Sequence, residues 1–273
     1  MNDVFRKKIV VYYCIIFYLL MIYKWLNGLF LFQVRPSFFY ARQDIFTWLF
    51  MQTGLHQWLL NNKPGWILAD ILFYSLPAVY LFIYRYSVKL SVATGFIMLL
   101  VNWCYVECYT LYPINSIEAH LAWLLFPVLF ITTSAATFAF LFEGLRYMFL
   151  YLFMSAALWK LWEGSIFNIH QMSGVLLFQH SQQLTNSPNY WQSKLYLWLI
   201  NHETVSYILF LLAFLAELSF IIGFFTKRFD KWLFALFVLF LLMDHFIMRI
   251  PYYELSPFLL TLLYKPAQTA VKN

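Results

Sequence analysis

Residues 205–226 read VSYILFLLAFLAELSFIIGFFT, and Lys227-Arg228 close the run. Its one ionisable carboxylate is Glu217. A helix buried in a soluble core is served by 10–14 apolar residues, whereas crossing the hydrocarbon of a bilayer takes roughly 20. This stretch is of the second kind. Working outward, comparable runs occupy 9–28, 65–84, 89–108, 119–139, 143–162, 232–249 and 252–264, the last short and interrupted by Pro257. The sequence predicts an all-α polytopic membrane helical bundle with about eight transmembrane helices. Composition agrees: 63% of the 273 residues are hydrophobic and 11% charged, against about 25% charged in soluble domains. Too few polar side chains exist to cover a water-facing surface. Trp and Tyr gather at the ends of the runs, where amphipathic rings suit the headgroup zone.

The net charge of +6 is spread through short loops, a distribution that orients a chain in a membrane and argues against nucleic acid as a partner. Arg6-Lys7-Lys8 precedes the first run, and no small-residue cleavage site follows it, so that run is expected to be a retained span. With the N-terminus inside, Arg6, Lys7, Lys8, Arg85, Lys89, Arg146, Lys227, Arg228, Lys231, Lys265 and Lys272 are cytoplasmic, and Arg35, Arg42, Lys63, Lys194 and Arg249 are outside. That asymmetry follows the positive-inside rule. The expectation is a multi-pass protein of the inner (cytoplasmic) membrane of a bacterium with both termini cytoplasmic. Segments 29–64 and 163–204 lie outside and are in part amphipathic, suited to the outer leaflet surface. No internal repeat is visible, so residues 1–273 are read as one domain.

A charge in hydrocarbon costs several kcal/mol, so each ionisable group inside a span asks for a partner and a purpose. The candidates are Asp70, Glu107, Glu118, His120, Lys160, Glu163, Glu217, Asp244, His245 and Glu254. All but Asp244 and His245 fall near outer helix ends, where they would converge on one outward-facing polar cavity. Lys24 and Glu163 are expected to snorkel to the interface. Lys160, in Ser155-Ala156-Ala157-Leu158-Trp159-Lys160-Leu161-Trp162, is different, because small neighbours let another helix approach. Desolvation disfavours an ammonium, which is how a buried lysine comes to serve as a base. Glu217 is the carboxylate hardest to place at an interface. No His-x-x-x-His or Cys-x-x-Cys pair occurs, so no metal site is expected. His56, His170, His180 and His202 are expected as surface histidines. Cys104 and Cys108, one turn apart, are expected as small buried hydrophobes.

Several motifs taken together resemble a known family. Ala156-Ala157-Leu158-Trp159-Lys160-Leu161-Trp162-Glu163-Gly164 is followed by a helix pair carrying Glu217 before Ile221-Ile222-Gly223-Phe224-Phe225-Thr226, and then Asp244-His245-Phe246. Val4-Phe5-Arg6 opens the chain, and His120 follows a short loop. In order and spacing these resemble the membrane domain of the vitamin K-dependent gamma-carboxylases, the HTTM family, and in part the DoxX-like and SdpB-type toxin-maturation proteins. The resemblance implies that Lys160 is the base toward a reduced quinone or other lipid-soluble cofactor. It further implies that His120 assists, with Glu217 as auxiliary, and that Trp159, Trp162 and His245 line the cofactor. The chain departs from the family pattern at Trp159, where the carboxylases have a lysine, and at Ala119, where they have asparagine. The extramembrane domain that holds the peptide substrate is not found, so a partner is expected to supply it.

The expected function is therefore an HTTM-type integral membrane subunit acting with a membrane or secreted protein partner at the outer face. An alternative is a quinol- or lipid-modifying enzyme using the buried lysine. A small-solute transporter is a further alternative, although no inverted repeat accompanies it.

Overall fold

The computed structural model describes residues 3–34, 45–110, 117–250 and 252–265. Expectations resting on Arg35, Arg42, Lys272 and the Glu118 side chain lie outside the described residues. The described residues are mostly helical and contain no strand. The long helices are α1 (Asp3–Leu26), α2 (Lys63–Ile83), α3 (Val88–Thr110), α4 (Ala135–Trp162), α5 (Gln171–Asn186), α6 (Trp191–Asn201), α7 (Glu203–Ser219) and α8 (Asp230–Met243). Six segments are long and apolar enough to cross a membrane: Val4–Val34, Lys63–Ile83, Lys89–Tyr109, Ala135–Trp162, Glu203–Phe225 and Asp230–Met248. Leu121–Phe130 and Tyr253–Leu263 are shorter apolar helices. Large apolar side chains such as Leu19, Phe140, Phe225 and Trp232 are more than 60% exposed, a surface that suits lipid and that soluble monomers avoid.

The chain divides into two compact units, Met1–Leu145 with Tyr253–Asn273, and Arg146–Tyr252. In the first, the expected continuous span 119–139 is broken. A tight turn, Ile117–His120, leads into Leu121–Leu125 and Pro127–Phe130, and α4 begins only at Ala135. Pro127 has no N–H to continue the ladder, and Thr132 turns its hydroxyl onto the Leu129 carbonyl at 2.8 Å. The α4 helix absorbs the rest, starting eight residues before the expected 143.

Two short helices are laid along α1. His120 and Glu254 both lie beside Lys24. At the other end of α1, Arg6 donates to the carbonyls of Thr132 and Thr133 at 2.6 and 3.3 Å, and Tyr264 stacks on Tyr12. Leu121–Phe130 packs so closely on α3 that a Cβ at Gly95 would sit 3.0 Å from the Phe130 carbonyl carbon. Aromatic rings fill the interior: Phe17 touches Phe73, Tyr74 and Trp123, and Phe73 stacks on Tyr105 at 3.8 Å.

In the second unit Arg146 ties α4 to the first residue of α8 and to the short turn Ile222–Phe225 that follows α7. The sequence counts Arg146 among the cytoplasmic basic residues, near the start of the expected span 143–162, and the structure buries it. Its guanidinium donates to Asp230 Oδ1 at 2.6 Å and to the Gly223 carbonyl at 2.9 Å, and both charged side chains are 2% exposed. Gly223 packs tightly there: a Cβ would sit 2.6 Å from a Leu150 methyl, which would have to shift. Removing one partner of a buried pair strands the other charge, at roughly 3–5 kcal/mol. Arg146→Met is therefore expected to lower the thermal midpoint of the detergent-purified protein sharply. Arg146→Met/Asp230→Leu should return close to the parent, as read by fluorescence-detected size exclusion after heating.

Candidate functional site

Lys160 sits in the last turn of α4, which Gly164 ends in a left-handed turn at φ 71°. The Ser165 hydroxyl donates to the Lys160 carbonyl at 3.0 Å, covering one of the carbonyls a helix end leaves open. The Lys160 ammonium donates to both oxygens of Glu217, at 2.5 and 2.6 Å. The Glu217 side chain is 5% exposed and the Lys160 side chain 27%. Phe210 lies two turns before Glu217 on α7, on the same face, and its ring centre is 5.6 Å from the ammonium. Asp244, half-buried, opens a π turn, Asp244–Met248, and lies within the fields of both Glu217 and Lys160. The ammonium bonds Glu217, and Asp244 is close enough to feel both charges. The sequence singled out Glu217 and Asp244 separately. Nothing in their spacing announced that α7 and α8 would turn both toward Lys160.

The other sequence-predicted residues take varied positions. Trp159 is 60% exposed and Trp162 85%. His245 is half-buried, edge-on to Phe246. Glu163 is exposed, as snorkelling predicts. Cys14 and Cys108 are buried free thiols, and Cys104 is half-buried.

Beside the π turn, α5 and α6 pack as a helical hairpin that closes its open end. Three consecutive carbonyls are covered: Tyr196 donates to Phe246 at 3.1 Å, His180 Nε2 meets Ile247 at 2.8 Å, and Gln179 donates to Met248. Arg249 follows in the left-handed region at φ 55° and bonds Gln192. The π turn is thus held open by side chains from two helices that the sequence placed at the membrane surface.

His56 and His180, expected at the surface, are both buried. His180 is 3% exposed because its ring stacks on Tyr196, 3.8 Å apart and nearly parallel. Burial pushes its pKa below the ordinary histidine value. The Arg249 charge acts the same way, and the bond to Ile247 opposes both. Burial also raises the Tyr196 hydroxyl.

A second constellation is built in the first unit. Lys24, expected to snorkel, is 2% exposed and meets Glu254 Oε1 at 2.6 Å. His120, fully buried, has Nε2 3.7 Å from the same oxygen. The Lys24 ammonium lies over the rings of Tyr109 and Trp123, at 4.1 and 4.8 Å, a cation–π enclosure. Nearby, Asp70 accepts the Tyr105 hydroxyl at 2.6 Å and the N–H groups of Leu31 and Phe32, so it anchors the start of the helix Leu31–Val34. Thr47 donates to Glu107 at 3.0 Å. His120 is thus associated with Lys24 and Glu254, whereas Lys160 is associated with Glu217. The usable signal was that Lys24 and Glu254 both fall at outer ends of predicted spans.

Comparison with protein families, with curated proteins and with solved structures returned no match.

His180 generates a pH prediction. Its folded pKa is depressed, so the unfolded chain takes up the proton first, at about 6.5. Its contribution to stability is full above that value and falls as pH drops below it. Thermal midpoints measured from pH 8 to pH 5 should decline on the acid side, and the decline should be shallower in His180→Gln.

Proposed function

We propose that this chain is an HTTM-like multi-pass protein of the bacterial inner membrane, with both termini cytoplasmic, that serves as the membrane subunit for a partner protein at the outer face. The observation that carries this is the doubly bonded Lys160–Glu217 pair. The two bonds tie the end of α4 to the last turn of α7, and that cross-helix contact supports a holding role. The hairpin of α5 and α6, following Lys160 directly in the chain, adds support by exposing Phe178 (86%), Trp191 (58%) and Trp198 (47%), residue types enriched where proteins meet. The count of eight membrane segments is supported by the way Leu121–Phe130 and Tyr253–Leu263 each accompany α1, from beside Lys24 toward its Arg6 end. An even count returns the C-terminus to the side of the N-terminus.

A second reading, lysine chemistry on a quinol or another lipid, is favoured by Asp244. A second carboxylate near the pair offers Glu217 an alternative arrangement in which Lys160 is released.

One series of variants separates the two. Lys160→Ala strands Glu217 and should reduce stability by about 1–3 kcal/mol. Lys160→Met/Glu217→Leu should recover most of it. In a subunit, the recovered double variant keeps the phenotype of the intact strain and still crosslinks, from probes placed at Phe178 and Trp198, to the same outer-face protein as the parent. A stable, correctly inserted double variant that loses the phenotype would favour the chemical reading. A protein that crosslinks to nothing and purifies alone at every expression level would remove the partner.

A further inference from the structure

The first unit carries a feature that neither charged constellation uses: an apolar groove of about 550 Å³ between α1 and α2. One wall is Val11, Ile15 and Leu19 of α1, and the other is Ala78, Phe82 and Arg85 at and beyond the end of α2. Its shape follows from Pro77. Proline has no N–H and crowds the preceding turn, so the α2 ladder is interrupted there. The Tyr18 hydroxyl enters the gap, accepting from the Ala78 N–H at 2.9 Å and donating to the Tyr74 carbonyl at 3.0 Å. This bridge fastens α1 to α2 at the level of the proline, and the exposed methyl side chain of Ala78 leaves space beside it.

We infer that this groove binds one acyl chain of an anionic phospholipid, with the lipid phosphate held by Arg85 and Lys7. Three observations carry the assignment. First, the groove reaches along α1 from Val11 to Ile22, about 16 Å at 1.5 Å per residue, which matches one leaflet of a hydrocarbon core roughly 30 Å thick. Second, its charge is confined to one end. Arg85 follows the last turn of α2, and Lys7 is one turn before Val11 on the stripe Lys7, Val11, Ile15. Both side chains are exposed. Third, that end coincides with the two helix termini, where a headgroup belongs, while the opposite end is Leu19 and Ile22. A zwitterionic lipid would bring a cation of its own beside Arg85 and Lys7 and so add no net negative charge, and free phosphate would leave the apolar wall empty.

Native mass spectrometry of the purified full-length chain tests this, with phosphatidylglycerol and phosphatidylcholine of identical acyl chains and, separately, inorganic phosphate. Phosphatidylglycerol should be retained preferentially. Each basic residue should contribute about fivefold, so Arg85→Ala should weaken the preference by that factor and Lys7→Ala/Arg85→Ala should abolish it. Lys231→Ala, outside the groove, should leave it unchanged. Ala78→Trp should reduce retention of both lipids, and Leu81→Trp is the second groove-filling variant should the first fail to fold. Equal retention of the two lipids, or retention undiminished in a folded groove-filling variant, would overturn the assignment. So would inorganic phosphate displacing the lipid at equal concentration, because the acyl chain would then contribute nothing.

Discussion

The structure depends on one constraint: a charge taken out of water has to meet an opposite charge or hydrogen-bond donors close by. Three pairs satisfy it, Lys24 with Glu254, Arg146 with Asp230 and Lys160 with Glu217, all at 2.5–2.6 Å. In each, the two residues are far apart in sequence and on different helices. Apolar side chains solvated by lipid tails give helices little reason to choose one neighbour over another, since lipid is as apolar as leucine. A lysine inside a helix supplies that reason, because only the partner with the matching carboxylate relieves its cost. The pairs therefore fix which helices meet and at what height.

The same scarcity of water governs the backbone. Within hydrocarbon every N–H and C=O needs an internal partner, and a broken helix is tolerated only where something else supplies one. Each irregularity here has its own remedy. Tyr18 bridges the ladder beside Pro77. Asp70 receives the first N–H groups of Leu31–Val34. Tyr196, His180 and Gln179 cover the carbonyls of the π turn. The last case matters most for function. A π turn is a local strain that cores seldom retain without a use, and this one carries Asp244 to the edge of the Lys160–Glu217 pair. The hairpin that holds the turn also presents the exposed aromatic surface, so an event at that surface has a short physical route to the pair.

Some of this was legible beforehand. Run lengths and charge scarcity gave the helical class and six segments long and apolar enough to cross a membrane, out of about eight expected, because both follow from local composition. Lys160, Glu217, Asp244, His120 and Glu254 stood out because burial energy is charged residue by residue. The sites to which they belong were less legible. The sequence gathered Lys160, His120 and Glu217 into one cavity, with Lys24 outside it. Within the first unit His120 meets a buried Lys24 and Glu254, and within the second Lys160 meets Glu217. The structure also buries Arg146, and it moves His56 and His180 from the expected surface to buried positions.

What the sequence by itself determined was which segments need lipid and which side chains need partners, since both are properties of a residue and its immediate neighbours. What only the tertiary structure decided was who answers whom. Pairing is settled by the height and rotation of helices separated by up to 230 residues, from Lys24 to Glu254. Those quantities depend on breaks such as Pro77, Pro127 and the π turn, which shift a side chain along or around its helix by an amount no spacing rule contains.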